Sequence, residues 1–109
     1  MRVWKEAMEL AKLVYESSAL YPLEEKYGLR SQINRAAVSV PSNIAEGAGR
    51  GSNKEFAQFL KIALGSAFEL ETQMILAEAF GYVTASQHQK LAQQVFNVQI
   101  MLNGLINKL

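Results

Sequence analysis

The 109-residue chain contains no cysteine, a single histidine, a single tryptophan and two prolines, and all ten of its acids are glutamates. Without cysteine there is no disulfide, no thiolate zinc site and no thiol nucleophile. His88 falls in the first turn of a helical pattern, where it is expected to be exposed, and it has no second His, Cys or Asp with which to hold a metal. Long hydrophobic runs are also missing. Lys, Glu, Gln or Asn interrupts every apolar stretch well short of the ~20 residues a membrane span requires. Met1 leads into a charged, amphipathic segment rather than a secretory h-region, so a cytoplasmic protein with no membrane partner is expected.

Charge of one sign is lacking as well, since eleven Lys and Arg face ten Glu for a net +1. A dedicated nucleic-acid binder usually carries a much stronger basic excess. Any electrostatic footprint must therefore come from geometry or from several copies of the chain. Residues 24–61 carry a net +2, residues 62–80 hold only Glu69, Glu71 and Glu78, and residues 81–109 hold Lys90 and Lys108 without an acid.

Catalytic constellations fail for the same want of parts. Gly47-Ala48-Gly49-Arg50-Gly51 lacks the order of a phosphate loop and follows a helical pattern rather than a strand. Glu69 and Glu71 diverge by about 200° on a helix and cannot share a substrate. Glu71 and Glu78 share a face, but the Glu-x-x-His ligands of a di-iron bundle are absent. No serine has a neighbouring base. The expectation is a protein that is not an enzyme and takes neither metal nor cofactor.

What is present is helix. Half of the residues are hydrophobic and 19% are charged, too apolar a mixture for disorder. A chain of this length suits one domain, 1–109, burying roughly 65% of its unfolded surface. Pro22 followed by Glu24 and Glu25 reads as a helix start. Gly47, Gly49 and Gly51 form a breaker cluster, and Ser52-Asn53-Lys54-Glu55 and Thr84-Ala85-Ser86-Gln87 read as capping boxes. These signals predict helices near 2–20, 23–49, 53–80 and 85–108. β-Branched residues never alternate with period two. The fold class is all-α, an antiparallel up-down four-helix bundle.

At 100° per residue, Leu91, Val95, Val98, Leu102, Leu105 and Leu109 follow a 4-3 spacing, a coiled-coil-type seam. Phe96 and Ile100 fall roughly opposite it. Segment one spreads Trp4, Met8, Leu10, Leu13, Val14 and Tyr15 over about half of its circumference, and segment three flanks its stripe of Leu60, Ala63, Ala67, Leu70 and Met74 with Leu64, Phe68 and Ile75. These faces exceed the roughly 100° stripe that a core-facing surface helix needs. Either four helices bury each other in one small bundle, or the excess area, Phe96 and Ile100 included, packs against other copies.

In segment two, Leu29, Ile33, Ala36, Ala37, Val40 and Ile44 hold one face, while Arg35, Ser39, Ser42, Asn43, Glu46 and Arg50 share an opposite arc. That phase runs unbroken through Pro41, which predicts one helix, kinked where the carbonyl of Ala37 loses its N–H partner. The arc is either solvated surface or a polar network at a subunit contact or ligand surface. Glu71 conflicts with its apolar surroundings in segment three, and a lone buried carboxylate is costly. A hairpin turning around residue 51 sets Glu71 level with residue 31, so Arg30 or Arg35 is the expected partner. The alternative is that Glu71 points into an inter-subunit space. Gly65-Ser66-Ala67 are small enough for a neighbouring backbone to approach.

The run Ser31-Gln32-Ile33-Asn34-Arg35-Ala36-Ala37-Val38-Ser39-Val40-Pro41-Ser42-Asn43-Ile44-Ala45-Glu46-Gly47 with Arg50 resembles the 23S rRNA intervening-sequence protein family, also called the four-helix-bundle protein family. So do Phe59-Leu60-Lys61-Ile62-Ala63-Leu64-Gly65-Ser66 with Glu69-Leu70-Glu71-Thr72-Gln73, and the opening Val3-Trp4-Lys5-Glu6-Ala7-Met8-Glu9-Leu10. The resemblance covers essentially the whole chain. It implies a small bacterial four-helix bundle with no enzymatic activity, of a kind often encoded within large-subunit ribosomal RNA genes. The related accessory protein of diversity-generating retroelements is a homopentamer, strongly basic where it engages nucleic acid.

Two functions follow as expectations. In the first, the protein is a homo-oligomer, a pentamer by that relationship, which binds RNA or DNA through Arg30, Arg50, Lys54 and Lys61. In the second, it is a structural or adaptor bundle whose faces bind itself or another protein.

Overall fold

The computed structural model describes all of residues 1–109 and contains four α-helices and no strand. Helix α1 spans Arg2–Ser18, α2 Leu29–Ala48, α3 Asn53–Ala79 and α4 Ala85–Lys108, with a 3-10 turn at Leu23–Glu25. Consecutive helices pack on each other, α1 also packs on α4, and the backbones of the diagonal pairs α1–α3 and α2–α4 stand farther apart. The helices therefore stand at the corners of a square, and the α1–α2 and α3–α4 faces lie on opposite sides. Residues of α2 and α3 meet in reverse order, Ser39 with Ser66 and Gly47 with Phe56 and Phe59, as antiparallel neighbours do. The molecule measures 43 × 25 × 18 Å.

Local chemistry accounts for the ends. Thr84 and Gln87 make the full reciprocal capping box at the start of α4. Ser52 makes only half of one: its Oγ accepts from the Glu55 amide at 3.1 Å and its hydroxyl donates to the Glu55 carboxylate, which does not return to the backbone. The expected start of α2 at residue 23 is wrong. Pro22–Glu25 closes a single 3-10 turn, and α2 begins at Leu29. The reason lies in Glu25. Its Oε1 accepts from the Leu29 amide at 2.9 Å, satisfying a first-turn donor from outside the helix. Gly28 permits this fold-back, since a Cβ there would sit 2.6 Å from that same carboxylate oxygen.

The core repeats the sequence pattern on every helix. Leu10 and Val14 of α1, Ile33, Val40 and Ile44 of α2, Leu60, Leu70 and Met74 of α3, and Val95, Val98 and Leu102 of α4 are all buried. The α4 seam holds from Leu91 to Leu102 and then loosens, leaving Leu105 half-buried and Leu109 exposed. Helix α2 continues through Pro41, which is itself buried. Its mid-helix cost of ~3 kcal/mol is offset by packing on both sides. His88 is half-buried rather than exposed, because it shares a face with Leu91 and Val95, and its Nδ1 has no partner. Gly65 admits no neighbouring backbone within this chain, for the position of its Cβ is open space.

Candidate functional site

The polar arc of α2 does not form one network. Ser39 shares a 2.8 Å hydrogen bond with Ser66 of α3, and Asn43 Nδ2 donates to the Ser39 carbonyl at 2.8 Å and to its Oγ at 3.0 Å. This cluster clasps α2 to α3 within the chain, and Asn43 covers a carbonyl one turn back. Glu46 pairs separately with Arg50, at 3.3 Å along the helix, and the Arg50 guanidinium also lies 4.9 Å from the Phe59 ring centroid. Ser42 is exposed and turns to the other side of α2, where it borders a groove against α1.

Glu71 does not pair with Arg30 or Arg35. Its Oε1 accepts a long 3.4 Å hydrogen bond from Gln99 Nε2 of α4, and no cation lies within 4 Å. The α2–α3 register sets position 71 level with residue 34 rather than 31, and the side chain leaves α3 on its α4 side. Glu69, two residues earlier, is the acid that shares a surface groove with Arg35 and Ser39.

The four expected cations do not form one patch either. Arg50 and Lys54 flank the α2–α3 turn, with exposed Lys61 two helical turns beyond Lys54. Arg30 stands in the first turn of α2, about 30 Å away along a helix rising 1.5 Å per residue. Around Arg30 lies a pocket of about 410 Å³ lined by Lys26, Arg35, Tyr15, Tyr27, Ser31 and Asn34. Sequence reasoning missed Lys26, Tyr15 and Tyr27 because Tyr15 reaches the pocket from α1 and the other two from the α1–α2 connection, although Lys26-Tyr27 and Arg30 sit within one five-residue stretch.

Two apolar surfaces remain uncovered. On the α3–α4 side, Phe96 and Ile100 are 51% and 54% exposed, and Phe68 and Ile75 of α3 are about as open. The wheel angles set all four on the flanks where α3 and α4 meet, above the Glu71–Gln99 bond. On the opposite side, α1 and α2 enclose a groove of about 640 Å³ walled by Trp4, Met8, Tyr15, Val38, Pro41 and Ala45. Few polar atoms interrupt it.

No group of His, Cys, Asp or Glu is placed to hold a metal ion, and no helix is long and apolar enough to cross a membrane. The perturbed titrations mark a structural contact. The Tyr82 hydroxyl donates to Glu25 Oε2 at 2.6 Å, holding the Glu25 carboxyl below its ordinary value, with the Leu29 amide helping. The same bond raises Tyr82, and burial raises Tyr21, whose ring packs at a tilt against that of Tyr82 with centroids 5.4 Å apart. These groups tie the α1–α2 connection to the end of α3.

Comparison with known proteins agrees with this architecture. A family model described as 23S rRNA-intervening sequence protein matches residues 1–104. A crystal structure of a protein of unknown function from the S23 ribosomal protein family of Bacteroides thetaiotaomicron VPI-5482 superposes with a TM-score of 0.87 at 25% identity. That similarity covers 96% of this chain and 95% of the other. A search of curated proteins returned no match.

Proposed function

The chain belongs to the 23S rRNA-intervening sequence protein family, and from that membership we propose that it is a non-enzymatic, self-assembling helical bundle serving as an accessory to RNA or DNA. The observation that carries the assembly is the pair of apolar surfaces on opposite sides of the square. Fifteen large hydrophobic side chains are exposed on a 109-residue chain. Where such side chains group, as Phe68, Ile75, Phe96 and Ile100 do on one side and Met8, Tyr15 and Val38 on the other, their exposure marks an interaction surface.

The two faces differ in shape. The α3–α4 side presents the projecting rings and branches of Phe68, Ile75, Phe96 and Ile100, whereas the α1–α2 side is concave. A ridge that fits a groove on the far side of the next copy makes a head-to-tail contact, which closes into a ring when the rotation permits. Five copies of the 12.1 kDa chain, about 60 kDa, is the ring that the family relationship implies.

Light-scattering mass during size-exclusion chromatography tests this. A mass several times that of one chain is expected, and F96E with I100E is expected to lower it to one chain while the helical circular-dichroism signal persists. A wild-type mass of a single 12.1 kDa chain at micromolar concentration overturns the reading. The α1–α2 groove also favours a second reading, an adaptor whose groove receives an apolar helix of another protein. That reading gains if the wild type is monomeric and binds no nucleic acid.

A further inference from the structure

The pocket at the start of α2 is lined by three cations that form no ion pair within the chain. Lys26, Arg30 and Arg35 all line it, no carboxylate does, and none of the three has a carboxylate within 4 Å. The two ion pairs of the chain use other residues, Lys12 with Glu9 and Arg50 with Glu46. Three like charges around one concavity repel each other and form a local positive field, which an anion relieves. Its volume of about 410 Å³ lies within the range of small-ligand sites.

Charge alone would accept any anion, and the aromatic rings narrow the class. Tyr27 is 87% exposed and Tyr15 52% exposed, both on the rim. Lys26 Nζ lies 5.4 Å from the Tyr27 ring centroid, covering one face and leaving the other open. Asn34 accepts from the Ser18 hydroxyl at 2.7 Å through its Oδ1, so its NH₂ group carries no protein partner and is free to donate. Cations for phosphates, an open ring for a base and an amide donor are the parts with which proteins hold unpaired nucleic acid. A duplex offers phosphates too, but its bases are stacked on each other and cannot reach Tyr27.

We propose that Lys26, Arg30 and Arg35, with Tyr27 as a stacking platform, form a binding site for a single-stranded segment of nucleic acid. This rests on the accessory role proposed above and moves the contact away from the Arg50–Lys54 end of the bundle. Arg50 is already committed to Glu46 and Phe59. The 2′-hydroxyl is the remaining difference between the two sources of such a strand, RNA and DNA.

The test is fluorescence anisotropy with a labelled ten-nucleotide oligouridine, its deoxy counterpart and a duplex of equal length. Three phosphate contacts on a single strand predict an affinity loss of about 20-fold between about 50 and 200 mM salt. Substituting R30A with R35A is expected to remove most of that salt dependence. Y27A is expected to weaken binding about tenfold with the salt dependence unchanged, since it removes a stacking surface and no charge. Tyr27 is so exposed that its loss does not endanger folding. K54A with K61A, at the other end, is expected to leave affinity as it was. If the wild type binds but only K54A with K61A weakens it, the pocket is the wrong site and the nucleic-acid role stands. A preference for duplex overturns the single-strand assignment. No binding of any probe at the lower salt overturns both the pocket and the nucleic-acid role, while the light-scattering mass judges assembly independently.

Discussion

Glu25 carries more of the fold than a connecting residue ordinarily does. One oxygen caps the Leu29 amide and the other receives the Tyr82 hydroxyl, so one carboxylate joins the start of α2 to the end of α3. Its folded pKa lies below the ordinary 4.5, so its bonds contribute fully above that value and are lost as pH falls through the lowered one. Tyr82 has the opposite sign: raised above 10.0, it contributes fully below that value and loses its contribution as pH rises through the folded one. Y82F removes the leading cause of both shifts. Its melting temperature is therefore expected to fall less steeply than that of the wild type below about pH 4.5, and equal slopes would refute the coupling. Gly47 makes a second residue-scale case. A Cβ there would stand 2.6 Å from the Phe59 Cβ and 3.3 Å from the Phe56 carbonyl oxygen. G47A is expected to cost about 1–3 kcal/mol in denaturant unfolding, because α3 must move away.

Among the helices, α2 and α3 divide the labour. Helix α2 accepts a mid-helix proline and buries it, and its contact with α3 is the most extensive in the molecule. Helix α3 carries Gly65 in its interior with open space beyond. G65A is expected to stabilise the isolated chain by ~1 kcal/mol, as glycine-to-alanine does within exposed helix. A thermal melt at low concentration measures this, and a loss of stability would mean that another surface needs the missing Cβ. Much of the element level was legible in advance. The apolar phases of Leu29–Ile44 and Leu91–Leu102, and the caps at Ser52 and Thr84, depend only on helical period and local hydrogen bonding. The start of α2 was not legible, because the carboxylate that caps it is four residues upstream and is oriented by Tyr82, 57 residues later.

The whole molecule presents a ridge on one side, a groove on the other and a basic pocket beside the α1–α2 connection. If ridge and groove meet between copies, folding and assembly are linked, and stability rises with protein concentration by mass action. The melting temperature of the wild type is expected to climb across a hundredfold concentration series, whereas that of F96E with I100E stays constant. A flat wild-type series would separate the apolar faces from self-association. Exposed ion pairs such as Lys12–Glu9 contribute little to this balance, since solvent screens them.

Helical class, the four segments and most core positions follow from the order of residues alone, because period and capping act over one or two turns. Phe96 and Ile100 were recognisable as misfits for the same reason: they oppose their own helix's seam. Rotation and register between helices belong to the packed structure. They decided that Glu71 meets Gln99 and not an arginine, that Ser39 clasps Ser66, and that Arg30 gathers with Lys26, Arg35 and Tyr27 rather than with Lys54. A slip of three residues in the α2–α3 register exchanges one set of neighbours for another, and only the simultaneous packing of all four helices removes that freedom.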